Sequence, residues 1–197
     1  MSRRFGGAPG PAPVMWPRGL GRFGPMERCH VCGFEGDATP IAEAIGAVAG
    51  FPGVVGGLLG GTYDGALRRR PSPHVWSALE YTAHTGETVA WYQQRIERVL
   101  TEEQPQLLPF DWDAACEQGR YRDLPLTTVL KAVLRSCAGL VSRVQVMEPA
   151  AWDRCGIGSD GSARSVAVLV RRAAHEAVHH AQDIRDGLSR VQEQERR

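Results

Sequence analysis

The sequence has no surplus of charge of either sign. Its 197 residues carry 23 Lys and Arg against 22 Asp and Glu, a formal net charge of +1. A nucleic-acid-binding surface shows as a basic stripe or patch, and nothing in this balance suggests one. A disulfide pattern is missing too. The five cysteines, Cys29, Cys32, Cys116, Cys137 and Cys155, are odd in number and scattered. That excludes the framework of a small secreted domain and fits a reducing cytoplasm. A domain of this length buries roughly 70% of its unfolded surface, so it can hold together without such bridges.

Other absences narrow the field further. Arg3-Arg4 has the look of a twin-arginine signal, but no apolar run follows, and Pro9, Pro11 and Pro13 interrupt the place for one. Residues 1–25 are rich in Gly, Pro and Arg with few aliphatics. They are expected to form a disordered extension, with Met26 a candidate native start. The run from Ala44 to Thr62 lacks any charge for 19 residues, close to membrane length. Seven of these are glycines, and Pro52 stands in the middle. Ile41, Ile45, Val48, Val55, Leu58 and Leu59 recur with one-sided helical spacing, so the expectation is an amphipathic first helix and no membrane partner. The glycines make no phosphate loop, because no Gly-Lys-Ser/Thr follows them. Strand-like alternation is absent apart from a short ambiguous piece at Val166 to Val170.

What remains is helical. Four blocks can be read: Pro40 to Leu59, Val75 to Leu100, Leu126 to Val144 and Ser162 to Val191. Ser72 or Ser77 is placed to cap the second, and Pro125 precedes the third. Glu148 to Asp153 reads as one extra turn, and GIGSDG at 156–161 as a breaker. These blocks predict an all-α antiparallel four-helix bundle over residues 26–191, followed by a polar tail at 192–197. The connection from Thr101 to Arg122, which holds Phe110, Trp112 and Tyr121, is long enough to cap one end and carry function.

The chemistry concentrates in the last block, in HEAVHHAQDI from His175 to Ile184. His175 and His179 are four residues apart, so on a helix their side chains lie about 40° apart and can share one metal ion. His180 turns about 100° away from His179 and is left out of the set. The apolar stripe Val166, Ala173, Ala177, Ile184 and Leu188 falls nearly opposite the two histidines. They therefore face either solvent or a polar cleft. His84, in the second block, shares its side with Glu80, Tyr81, Thr88, Trp91 and Tyr92 and is expected to be partly buried. Glu176 stands at the general-base position of an HExxH motif and is a candidate catalytic residue. Asp183 and Glu80 are each one turn from a histidine, placed to orient an imidazole or simply to be solvated. Cys29 and Cys32 with Gly33 look like half of a zinc knuckle. No second C-x-x-C exists to complete it, and His30, His74 or Cys116 could do so only through the fold. The pair is assigned no special role.

Four segments, WSALEYTAHTGET, PFDWDAACEQGRY, AAWDRCGIGSDG and RRAAHEAVHHAQDI, resemble the DinB-like (DinB/YfiT-like) proteins of actinobacterial type. The resemblance covers roughly Cys29 to Leu188 in order and spacing. It implies an up-down-down-up bundle with a divalent metal, zinc by default or nickel or another first-row ion, held by a histidine triad. In this chain the triad would be His84, His175 and His179. Members include S-transferases and isomerases that use low-molecular-weight thiols such as mycothiol. The implied function is thus a metal-dependent enzyme with a small-molecule substrate and a thiol of the mycothiol type as co-substrate. A metal-dependent hydrolase or cyclase, and a non-catalytic sensor, stress or scaffold bundle, stay open. So does a homodimer.

Overall fold

The computed structural model describes residues 26–197, so the expected N-terminal extension lies outside the described residues. Four long helices enclose the core: α1 (Ile41–Leu59), α3 (Ala78–Thr101), α5 (Leu126–Gln145) and α6 (Val166–Glu195), with short helices α2 (Asp64–Arg68) and α4 (Trp112–Gly119) between them. In α1, Ala44, Val48, Phe51, Val55 and Leu59 form one buried stripe, while the opposite face is glycine and alanine. That helix is long and apolar enough to cross a membrane, yet its burying face packs on α5 and α6 as a one-sided helix should. Pro52 does not end it.

Ser77 caps α3 with a reciprocal capping box. Its hydroxyl accepts from the Glu80 amide while the Glu80 carboxylate accepts from the Ser77 amide. The helix accordingly starts at Ala78, later than the sequence pattern suggests. The four helices form a ring in which α3 packs on α5 and α6, and α1 packs on α6 and α5. The four-helix expectation therefore holds. α6 touches both α1 and α3, and this puts its polar residues between two walls.

Two features add to the sequence reading. A small sheet is present: β1 (Gln106–Leu107) runs parallel to β2 (Cys155–Gly158), which pairs antiparallel with β3 (Ala163–Ser165). The GIGSDG breaker is the β2–β3 hairpin, with Gly161 at φ +78° in its turn. The ambiguous Val166 to Val170 piece is the first turn of α6, capped by Ser165. Secondly, α6 continues through Glu195, so most of the expected tail is helix.

Candidate metal centre

The HEAVHH segment carries two ligand lines. His175 and His179 form one, and Glu176 and His180 form the next, rotated about 100° around α6. Because α6 is buried on two sides, both lines meet protein. The His175 line faces the N-terminal turn: the His175 ring lies tilted against Phe34 at 5.6 Å, and His179 Nδ1 lies 3.4 Å from Cys29 Sγ. The Glu176 line faces α3.

On the α3 side, His84, Glu176 and His180 each place one ligand atom within 4.8 Å of the others. His84 Nε2 is 3.9 Å and His180 Nε2 3.2 Å from Glu176 Oε2. Both histidines are 4% exposed. His180 Nδ1 pairs with Asp183 Oδ2 at 2.8 Å, which turns Nε2 toward the cluster. That Nε2 is buried and, although near Glu176, has no hydrogen bond of proper geometry. Trp76 and Trp112 stand edge-on to the His84 ring at 5.0 and 5.1 Å, and Tyr81 lies 5.2 Å from His180. The 101–122 connection thus reaches the site through Trp112.

Burial, reinforced by His180, pushes His84 down to about 3, so it is neutral. Burial alone would raise Glu176, but His180 overrides it and holds the carboxyl at about 2. His180 is held at about 9, because its bond to Asp183 and the Glu176 carboxylate beside it outweigh its own desolvation. The cluster is therefore a carboxylate–imidazolium pair beside a neutral imidazole. Two imidazoles and a carboxylate, buried among aromatic rings, suit a borderline divalent ion such as zinc.

The expected set is divided by this arrangement. His84 is brought to Glu176 and His180. His175 and His179 are brought instead to Cys29 and Cys32, again with one ligand atom from each within 4.8 Å. The reason is helical phase: the line facing α3 is 176/180, one residue on from the line the histidine spacing suggests. Glu176 thereby stands as a candidate ligand rather than a protease-type base. Asp183 contacts both His180 and His179, the latter at 3.5 Å. Glu80 does not orient His84, because it is engaged in the α3 cap and with Arg70. His180 escapes sequence reasoning, although a second i, i+4 pair, Glu176 and His180, is visible in HExxHH.

The model of the DinB superfamily matches residues 54–184. That span carries His84 and the whole HEAVHH segment but neither Cys29 nor Cys32. Among solved structures, YfiT from Bacillus subtilis, described as a probable metal-dependent hydrolase with an unusual four-helix bundle topology, is similar with a TM-score of 0.71. The identity is 16%, over 78% of this chain and 87% of that one, and the likeness establishes the shared fold. None of the curated proteins matches the chain in sequence. The family match covers most of the bundle and both ligand lines of α6: the chain belongs to the DinB superfamily.

Proposed function

We propose that this chain is a divalent-metal-dependent enzyme whose centre is His84, Glu176 and His180. Its substrate would be a small molecule, and its co-substrate a low-molecular-weight thiol of the mycothiol type, in an S-transfer or isomerisation. The observation that carries the reading is the convergence of two imidazoles and a carboxylate, buried among aromatic rings. When bound, a divalent ion supplies Lewis acidity and makes a thiol or water nucleophilic at neutral pH by lowering its pKa.

The chain's own residues do the rest. Glu176 brings the negative charge and His84 an uncharged donor. Asp183 keeps a proton on His180 Nδ1, so loading a cation displaces only the one on Nε2. Trp76, Trp112 and Tyr81 wall the cluster and exclude water from it. Burial and the nearby Asp183 push the Tyr81 hydroxyl up to about 12. It therefore stays protonated, a hydrogen-bond donor beside the cluster and not a base. Three protein ligands would leave a position for substrate, as catalytic sites require. Free thiols as co-substrate suit a reducing cytoplasm.

The test is metal analysis of the purified chain, followed by calorimetric titration of the zinc-loaded protein with mycothiol. We expect His84→Ala, Glu176→Gln and His180→Ala each to lower metal content by one equivalent. Affinity should fall by more than the ~10–100-fold that loss of an outer-shell partner costs. Thiol binding should vanish with the metal. Thiol that binds His84→Ala as tightly as the parent chain would sink the proposal. Likeness to the Bacillus protein, a probable metal-dependent hydrolase, favours a second reading, hydrolysis with water in place of thiol. It would be recognised by metal-dependent ester or amide cleavage that mycothiol leaves unchanged. Binding without any turnover would mark a sensor or scaffold instead.

A further inference from the structure

We propose that Cys29, Cys32, His175 and His179 form a second metal centre, a closed tetrahedral Cys2His2 zinc site that fastens the N-terminal turn to α6. Four independent observations meet there. The first is the donor set: a C-x2-C pair and an H-x3-H pair, the two spacings typical of structural zinc. The pairs are far apart in sequence, with Cys29 and His179 separated by 150 positions. Yet one ligand atom from each of the four lies within 4.8 Å of the others.

The second is the shape of the turn. The Cys29 amide donates to the Phe34 carbonyl at 2.8 Å, and the Gly33 amide donates back to the Cys29 carbonyl at 2.8 Å. Gly33 follows Cys32 at φ +75°, a conformation that glycine adopts without strain. This closed loop brings both sulfurs to the same side. The cysteines are free thiols. Gly36, at φ +59°, lets the chain fold back on Met26, where a Cβ would fall 1.8 Å from the Met26 carbonyl oxygen.

The third is an unmet need. His175 is 8% exposed, and its Nε2 is buried with no hydrogen-bond partner. A buried polar atom in that state is destabilising unless something satisfies it, and a cation would. The fourth is the outer shell. His179 turns Nδ1 toward Cys29, and its Nε2 sits 3.5 Å from the Asp183 carboxylate, the carboxylate–histidine arrangement that orients metal-binding imidazoles.

The chemistry balances. A divalent zinc ion displaces the two thiol protons and meets two thiolates and two neutral imidazoles, so the completed site carries no net charge. All four positions are filled by protein, which makes it structural and not catalytic. Its consequence lies next door. Residues 175 and 179 alternate with 176 and 180 on one helix, and Asp183 touches both His179 and His180. Fixing the first pair therefore fixes the rotation of α6 that aims the second at His84.

The experiment uses the full chain, stripped of metal under reducing conditions and titrated with cobalt(II). We expect a thiolate-to-cobalt charge-transfer band and the intense visible bands of a tetrahedral ion, both abolished by added zinc. Cys32→Ser should halve the charge-transfer intensity, and His175→Ala should weaken cobalt binding. His84→Ala should leave the band intact while removing the other centre's metal, so the two proposals fail separately. Absence of the band in the parent chain, or its full persistence when both Cys29 and Cys32 are serine, would overturn the site. Should a variant fail to fold, the parent chain still decides the matter by alkylation and mass spectrometry. Zinc must protect Cys29 and Cys32 while Cys155 stays reactive. Equal labelling of Cys29 and Cys32 with and without zinc, or a Cys29–Cys32 disulfide in the zinc-treated protein, overturns it equally.

Discussion

Glu80 is the only buried carboxylate engaged at once in a helix cap and an ion pair among the described residues. It is 3% exposed, accepts from the Ser77 amide at 2.8 Å, and meets Arg70 Nη2 at 2.6 Å. Burial would raise its pKa, but the bonds from Arg70 and Ser77 outweigh it and the net shift is downward. A carboxyl held below its unfolded value of about 4.3 adds stability that is complete above that pH and is lost as pH falls through the folded value. Glu80→Gln should therefore cost about 1.5–3 kcal/mol at pH 7, as expected for a hydrogen bond to a charged group. The gap to the parent chain should close below about pH 4. Urea unfolding at both pH values reads this, and a gap that does not change with pH would assign the effect to shape and not to charge. The same residue shows what single-residue reasoning misses. Glu80 is one turn from His84 and reads equally well as an imidazole-orienting group. Only the positions of Ser77 and Arg70 decide otherwise.

At the scale of elements, the glycines divide into those that a neighbour requires and those that nothing requires. On the outer face of α1, a Cβ at Gly50 or Gly53 would meet nothing within 4 Å. Replacing either by alanine removes unfolded-state freedom at no steric cost and should stabilise by about 0.4–1 kcal/mol each. Gly86 of α3 is the opposite case, because its Cβ would lie 3.0 Å from Val133 Cγ2 and 3.3 Å from the Val133 Cα. There α3 and α5 approach closely, and Gly86→Ala should destabilise by about 1–3 kcal/mol through overpacking. Thermal melts of the three variants check the contrast, and a stabilising Gly86→Ala would show that the α3–α5 contact can relax. The long helices are legible in sequence because each repeats its apolar pattern over many turns, as Ala44, Val48, Phe51, Val55 and Leu59 do in α1. The sheet is not, because its strands are two to four residues long and exist only through pairing across the chain, as Gln106 with Ile157. The two ligand lines of α6 are half legible. Their residue types and spacings can be read, but which line faces α3 depends on how α6 is turned between α1 and α3.

At the scale of the whole molecule, order should fall from α6 outward to the 108–120 segment. α6 is buried along most of its length, from Val166 to Val191, and packs on both α1 and α3. The 108–120 segment has little to hold it. Leu108 is 68% and Phe110 44% exposed, and α4 buries only Cys116. Rings supply much of its hold on the bundle, beside the bond from Arg95 to the Leu108 carbonyl and the Arg70–Glu117 ion pair: Trp112 meets His84 at 5.1 Å and Trp91 at 5.2 Å, and Phe110 meets Trp91 at 6.3 Å. Segments with few buried contacts open at low free energy, whereas core helices open only with global unfolding. Hydrogen exchange should therefore find the amides of α4 the fastest among α1 to α6 and those in the middle of α6 among the slowest. The link to function is Trp112. A cation held by His84, Glu176 and His180 immobilises the imidazole on which Trp112 rests, so zinc should slow exchange in α4 while leaving the middle of α5 unchanged. Trp112→Ala should abolish that slowing without removing the metal, because Trp112 walls the cluster and is not one of its donors. If α4 exchanges as slowly as α6 in the metal-free protein, the segment is part of the rigid core. If zinc slows α4 equally in Trp112→Ala, the coupling does not run through that ring.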